Sequence, residues 1–253
     1  MDSRLYLQTA TRNGCTRVED VFCTAPYKIM RPFIRGDRAD IMVMAASAGL
    51  LAGDTLEAEY RFESGSNAAV YTQGYEKVFN TGEGHVSRHI LLQVDQGAYV
   101  RFLPQPIIPF AGSDLRSQTQ VSLAQDCRFA YAEIVACGRA GRGEKFQMRR
   151  LDSRLQVTID GRLAFADHTR LQPAYIDHTG LGQWQSMTHQ GLLYAYGPAW
   201  EERVLKAARR ADALPGGLVG ASRTVRGVCV RALATSGDAL YRLFCTIAEQ
   251  MEE

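Results

Sequence analysis

Alternating apolar and polar positions dominate the chain and predict β-strands. Short runs rich in β-branched and aromatic residues are separated by Gly and Asp turn residues. Four segments share a plan of strand, tight turn and strand: residues 57–71, 91–102, 121–131 and 155–165. Their turns centre on Gly65, Gly97, Asp126 and Gly161, which are 32, 29 and 35 residues apart. This spacing is typical of stacked β units, but an ordinary β-sandwich also repeats hairpins, and the pattern alone leaves both open.

Helical periodicity is confined to the end of the chain. One helix is predicted over residues 199–213, with an apolar stripe at Trp200, Val204, Ala208 and Ala211, and Pro215 ends it. A second is predicted over residues 237–251, with Ser236 as its N-cap. No linker divides the sequence, so we predict one mainly β domain, residues 1–253, that carries two C-terminal α-helices. Dinucleotide folds alternate strands with helices throughout and are excluded.

Composition and charge narrow the class of protein. The 253 residues are 46% apolar with a net charge of +2, which excludes a polybasic nucleic-acid-binding arm. The 29 basic residues include four Lys and therefore 25 Arg, which reflects either genomic base composition or a surface rich in interfaces. No secretory signal and no apolar run long enough to span a membrane is visible. Six cysteines without a Cys-x-x-Cys pair predict free thiols in a cytoplasmic protein.

Residues 138–146 (GRAGRGEKF) resemble a nucleotide-binding P-loop but depart from it twice. Glu144 stands between the second Gly and Lys145, and Phe146 occupies the place of the hydroxyl that would hold magnesium. Nucleotide binding is therefore not expected here. Residues 139–154 carry six basic and two acidic side chains, so this stretch is either a basic hairpin for an acidic partner or a solvated loop.

Catalytic and metal-binding motifs are missing from the sequence. His85 and His89 are four residues apart in a predicted strand, so their Cβ atoms would lie about 13 Å apart, too far to chelate one ion. Asp167 and His168 are adjacent in a strand and would point to opposite faces. No nucleophile elbow occurs, and Cys137 is expected to be a small buried thiol. Glu133 lies among apolar positions and faces either solvent or a polar cavity shared with Glu144.

Several segments stand in a characteristic order along the chain: APYKIMRPF (25–33), GLLAGDTL (49–56), TQGYEKVF (72–79), LPQ (103–105), the stretch from Glu133 to Phe146, and RAL (231–233). Together they resemble the UreD family of urease accessory proteins, called UreH in some bacteria. Two positions depart from the family: Ala52 replaces a Gly, and Pro106 stands where members often have Glu. Pro106 weakens the case for a metal-handling carboxylate in that loop.

The resemblance implies a β-helix-like fold of stacked strands without catalytic activity. It further implies partners, namely UreF, the GTPase UreG and apo-urease, and a transient nickel path in place of a permanent cofactor. GTP would be bound only by the partner UreG and not by this chain. On this interpretation Glu133, Glu144 and Asp54 are the candidate nickel-path residues. A β-fold hydrolase or carbohydrate-active enzyme is the alternative, and a binding module without a metal role is a third.

Overall fold

The structure is a computed structural model that describes residues 1–198, 200–210, 214 and 216–251. In chain order its strands are β1 (Asp2–Arg12), β2 (Cys15–Cys23), β3 (Tyr27–Ile29), β4 (Phe33–Arg35), β5 (Arg38–Ala45), β6 (Thr55–Phe62), β7 (Asn67–Thr72), β8 (Glu76–Val78), β9 (Val86–Val94), β10 (Tyr99–Phe102), β11 (Ile107–Pro109), β12 (Asp114–Leu123), β13 (Arg128–Ala136), β14 (Arg150–Ile159), β15 (Arg162–Leu171), β16 (His189–Tyr196), β17 (Leu218–Arg223) and β18 (Val228–Ala234). The helices are α1 (Glu201–Arg209) and α2 (Gly237–Glu249).

Two β-sheets face each other. The chain passes repeatedly from one sheet to the other, so each sheet contains strands from many parts of the sequence. Sheet A has the order β15-β14-β12-β9-β6-β1-β2, and sheet B runs β17-β18-β16-β13-β10-β7-β5-β3 with β4, β8 and β11 attached at its side. The inner strands β1, β6, β9, β12 and β14 pair in parallel within sheet A. Strands β5, β7, β10 and β13 pair in parallel within sheet B.

Three of the four predicted strand–turn–strand segments cross from sheet A to sheet B. Each crossing is a tight turn closed by a backbone hydrogen bond, as from Ser66 N to the Glu63 carbonyl at 3.0 Å. Gly65 and Gly97 supply the positive φ angles of +72° and +65° that two of these turns require. Since each crossing stacks on the next, the chain forms a mainly β, solenoid-like body, and the prediction of stacked units is confirmed.

The fourth segment folds differently, because β15 turns back and pairs antiparallel with β14 in sheet A. The exposure of its side chains fits this arrangement. Alternate residues of β15, among them His168 and Arg170, are exposed, which suits an edge strand with one face in water. By contrast, all four residues of β10 are buried, as expected for a strand covered on both faces.

The two helices cover the outer face of sheet B. Their apolar side chains, including Val204, Leu240 and Phe244, pack on small residues of the underlying strands, such as Ala130, Ala132 and Ala232. Ser236 caps α2 as predicted, because its hydroxyl accepts a hydrogen bond from Ala239 N at 3.3 Å. Of the predicted first helix, Ala199 and residues 211–213 lie outside the described residues, as does Pro215. Neither helix is long and apolar enough to cross a membrane within the part of the chain that is described.

We predict that one methyl group added between β16 and α2 destabilises the protein. A Cβ added at Gly191 would lie 2.6 Å from Cε2 of Phe244, a fully buried ring. Gly191→Ala is therefore expected to lower the free energy of unfolding by about 1–3 kcal/mol through overpacking. Gly220→Ala in β17 is the matched control, since a Cβ there meets nothing within 4 Å. Urea unfolding of the two variants makes the comparison, and equal stabilities would contradict the packing described here.

Candidate functional site

A layer of polar side chains crosses the space between the two sheets. We call these residues the polar layer: Arg88, Ser117, Ser153 and Thr169 from sheet A, and Glu76, Glu133 and Gln190 from sheet B. One apolar cluster, with Val86, Leu115 and Leu151, lies on one side of it. A second cluster, with Leu92, Val121 and Leu155, lies on the other.

The register of the parallel strands builds this layer. Ser117 is paired with Arg88 on one side and with Ser153 on the other, and Ser153 is paired with Thr169. Equivalent positions of successive strands therefore stack, and a polar residue at that position in β9, β12, β14 and β15 produces a polar stripe, which ends where Leu56 of β6 pairs with Arg88. Glu133 reaches the same space from β13, since it lies on the same strand face as Tyr131 and Val135.

Arg88 is the central contact of the polar layer. Its Nη1 lies 2.5 Å from Glu76 Oε2, its Nη2 lies 3.5 Å from Glu133 Oε2, and its Nε donates to Ser117 Oγ at 3.0 Å. The Ser153 hydroxyl donates to Glu133 Oε2 at 2.8 Å. One guanidinium thus contacts two carboxylates in a region where Arg88 is only 8% exposed.

Burial and charge act against each other on these groups. Burial raises the pKa of Glu133, while Arg88 and the hydrogen bond from Ser153 oppose that rise. Burial by itself would lower the pKa of Arg88, but the charges of Glu76 and Glu133 outweigh it and the net shift is upward. Arg88 therefore stays protonated, and the layer contains fixed charges inside the protein.

The polar layer meets solvent at its two ends. Glu76 is partly exposed at one end, with 23% of its side chain accessible. At the other end Gln190 donates to Thr169 Oγ1 at 3.3 Å, and it also lines a surface cleft of about 380 Å³ together with Trp184 and Arg231. The layer therefore has a partly exposed carboxylate at one end and a surface cleft at the other.

Glu144, the second predicted path residue, lies in the loop after β13. Its Oε1 accepts a hydrogen bond from Ala111 N at 2.8 Å, and its Oε2 accepts from Arg139 Nε at 3.0 Å. The bond from Arg139 is the main cause that holds the pKa of Glu144 below its usual value. The loop also packs closely, since a Cβ at Gly138 would lie 2.7 Å from the Glu144 carbonyl oxygen. These contacts close residues 138–146 on themselves, and β14 follows them rather than a helix.

Asp54, the third predicted residue, closes the turn before β6. Its Oδ2 accepts from Leu51 N at 2.8 Å, and its Oδ1 lies 2.8 Å from the amino group of Met1. Asp54 and Glu144 thus each contact partners of their own, whereas Glu133 is the predicted residue that the fold brings into the polar layer.

The structure also gives the orientation of Asp167 and His168 and the burial of Cys137, which the sequence analysis predicted. Asp167 pairs with Arg231, whereas His168 Nε2 lies 2.9 Å from Asp152 Oδ1, so the adjacent residues do point to opposite faces. Cys137 is fully buried, and burial raises the pKa of its thiol. Among the described residues, no group of three or more His, Cys, Asp or Glu side chains is placed to hold a metal ion.

Sequence reasoning missed Arg88 and Glu76, although Arg88 left a signal. In β9 it is in phase with Val86, Ile90 and Leu92, which all face inward. A charged residue on the apolar face of a strand needs a buried partner, which here is Glu76 together with Glu133. Glu76 gave no such signal, because β8 is only three residues long.

Comparison with known proteins shows the family to which the chain belongs. The family model described as "UreD urease accessory protein" matches residues 1–253. The chain belongs to the UreD family. It is 31% identical to the urease accessory protein UreD of Acetivibrio thermocellus over 94% of this chain and 93% of that protein. It is 33% identical to UreH of Helicobacter acinonychis over 74% and 72% of the two chains. It is 29% identical to UreH of Helicobacter pylori, strain G27, over 96% and 92%.

Membership of the UreD family places the chain in urease maturation. The resemblance that the sequence segments indicated is therefore confirmed at the level of the family. Its relatives are named accessory proteins, which is consistent with a non-catalytic role.

The ion pair between Glu144 and Arg139 gives a pH-dependent prediction. Glu144→Gln is expected to lower the free energy of unfolding at pH 7 by about 1 kcal/mol, allowing for solvent screening at Arg139. Since the folded-state pKa of Glu144 is depressed, its contribution is present above the unfolded value of about 4.3 and is lost as the pH falls further. The two proteins should therefore converge in stability in acid.

Denaturant unfolding at pH 7 and near pH 3 measures this difference. Glu83→Gln is the control, because Glu83 is an exposed carboxylate in the neighbouring loop. A gap between wild type and Glu144→Gln that persists unchanged in acid would contradict the assignment.

Proposed function

We propose that this chain is a non-catalytic scaffold of urease maturation in the cytoplasm. It joins UreF and the GTPase UreG to apo-urease and passes Ni²⁺ to the urease active site through the polar layer. Family membership supports the maturation role. The observation that carries the transfer role is the row of oxygen-bearing side chains between the two sheets, which begins at the partly exposed Glu76 and ends at a surface cleft beside Gln190.

The chemistry of the polar layer suits an ion in transit. Its potential ligands are carboxylate, hydroxyl and amide oxygens, with no thiolate or imidazole among its seven members. Oxygen ligands bind Ni²⁺ less tightly than nitrogen and sulfur ligands do, so an ion could move between such groups and be released. On this proposal the chain has no resident cofactor, and GTP acts only through UreG.

The hydrolase alternative requires an acid and a base that face each other across an open groove. In the polar layer, the two carboxylates instead share the guanidinium of Arg88 inside the protein. A buried carboxylate that is ion-paired in this way is a poor proton donor or acceptor for a bound sugar. The geometry therefore supports the transfer role better than it supports hydrolysis.

The partner proposal is tested by co-expression. We expect the tagged chain to co-purify with UreF, and the ternary complex with UreG to elute as one species on sizing. The chain alone should hydrolyse no GTP. Absence of any stable complex after co-expression would overturn the scaffold role, and turnover of GTP by the chain alone would overturn its non-catalytic character.

The nickel path is tested by substituting its carboxylates. Glu133→Gln keeps the size and hydrogen-bonding shape of the side chain but removes its charge. We expect urease activation to fall about tenfold, as for loss of a group at a metal site, while assembly of the complex is unchanged. Glu57→Gln is the control and should activate normally, because Glu57 is an exposed carboxylate on the outer face of sheet A.

Glu144 and Asp54 stay proposed members of the path. Each would have to exchange a present bond for the ion, with Arg139 for Glu144 and with Met1 for Asp54. Glu144→Gln and Asp54→Asn should therefore lower activation by more than their loss of stability explains. Activation that simply follows the folded fraction would remove both residues from the path, and normal activation by Glu133→Gln would remove the polar layer itself.

A further inference from the structure

Arg88 occupies the place between two carboxylates where a cation would bind. Its Nη1 and Nη2 contact Glu76 and Glu133 respectively, and its Nε is held by Ser117. The three contacts come from three strands, β8, β13 and β12, so they fix the guanidinium from different directions. Glu133 has a further donor in Ser153, which orients its carboxylate toward this point.

The formal charges of these side chains show whether Arg88 and Ni²⁺ can occupy the site together. Two carboxylates and one guanidinium leave the centre with a formal charge of −1. Adding Ni²⁺ beside Arg88 would place two cations in one buried site, where their repulsion is weakly screened. If Arg88 moves away, a divalent ion instead neutralises both carboxylates. The guanidinium and the ion therefore compete for the same pair of oxygen ligands.

The two contacts of Arg88 differ in strength. The 2.5 Å approach to Glu76 is a short charge-assisted hydrogen bond, whereas the 3.5 Å separation from Glu133 is beyond the usual range for such a bond. Glu133 is accordingly the ligand that Arg88 can release first. Loss of the contact with Glu133 is then the first step, and both carboxylates become available to an arriving ion when Arg88 also leaves Glu76.

We propose that Arg88 is an internal counter-ion that keeps Glu76 and Glu133 from forming a permanent metal site. This inference rests on the proposed function, because it explains how a nickel path can contain two carboxylates without retaining the ion. Arg88 is a positioning residue on this account: it competes with the ion and returns to its place when the ion leaves.

The test is removal of the guanidinium. Arg88→Met keeps an unbranched side chain but leaves Glu76 and Glu133 without their shared cation. We expect the full-length variant to retain one Ni²⁺ per chain through desalting, with an affinity at least about tenfold higher than that of wild type. Equilibrium dialysis and metal analysis measure this, and Ni²⁺ should also raise the melting temperature of the variant more than that of wild type.

Two further variants make the result specific. Arg88→Met combined with Glu133→Gln should lose the gained affinity, because one of the two carboxylates is then uncharged. Arg116→Met removes an equal charge from the outer face, where Arg116 Nε contacts Asp114 at 3.2 Å, and should bind Ni²⁺ as wild type does. A folded Arg88→Met that binds Ni²⁺ no better than wild type would overturn the proposal.

Arg88→Gln covers the case in which Arg88→Met does not fold. Its amide can still donate a hydrogen bond to a carboxylate but carries no positive charge to compete with the ion, so we expect a gain in Ni²⁺ affinity comparable to that with Met. No gain in a folded Arg88→Gln would again overturn the proposal. These measurements use neither partners nor urease. A negative Ni²⁺-binding result would therefore leave the scaffold role intact. In turn, failure of the complex to assemble would leave the Ni²⁺-binding result intact.

Discussion

Parallel, in-register stacking of strands is the constraint on which the rest of this structure depends. Because each strand of sheet A lies beside the equivalent residues of its neighbour, a side chain at one position repeats its environment through several strands. Apolar residues at most inward positions therefore form two clusters rather than scattered contacts. The same register aligns Arg88, Ser117 and Ser153, so that polar residues from three separate strands lie side by side in the polar layer.

This polar layer is costly to maintain in an apolar interior. Replacing a buried ion pair with well-packed apolar side chains is often neutral or stabilising, so stability alone gives little reason to keep Arg88, Glu76 and Glu133 there. Removing one partner is a different matter, since it leaves a buried charge without compensation. Stability therefore does not account for the layer, whereas the proposed ion transfer would require charged groups at this depth.

The predicted path residues outside the layer illustrate a second principle. Asp54 and Glu144 lie in loops, and each accepts hydrogen bonds from a backbone N–H and a cationic group. A carboxylate in a tight loop satisfies backbone donors that the strands do not reach, which accounts for its place in the sequence without any ligand. Any role in nickel transfer would be added to that structural one.

The sequence by itself determined the strand-rich composition, the two helices and the family. These follow from local periodicity and from motifs whose order is read directly along the chain. It also showed that Glu133 interrupts an apolar run, but it left open whether Glu133 faces solvent, as carboxylates usually do, or a polar cavity. Tertiary structure decided that question, because only the packing of β13 against sheet A places Glu133 beside Arg88, 45 residues earlier in the chain. Tertiary structure also decided that β15 stays in sheet A, whereas β7, β10 and β13 lie in sheet B. Whether a strand has one exposed face or two buried ones depends on what covers it.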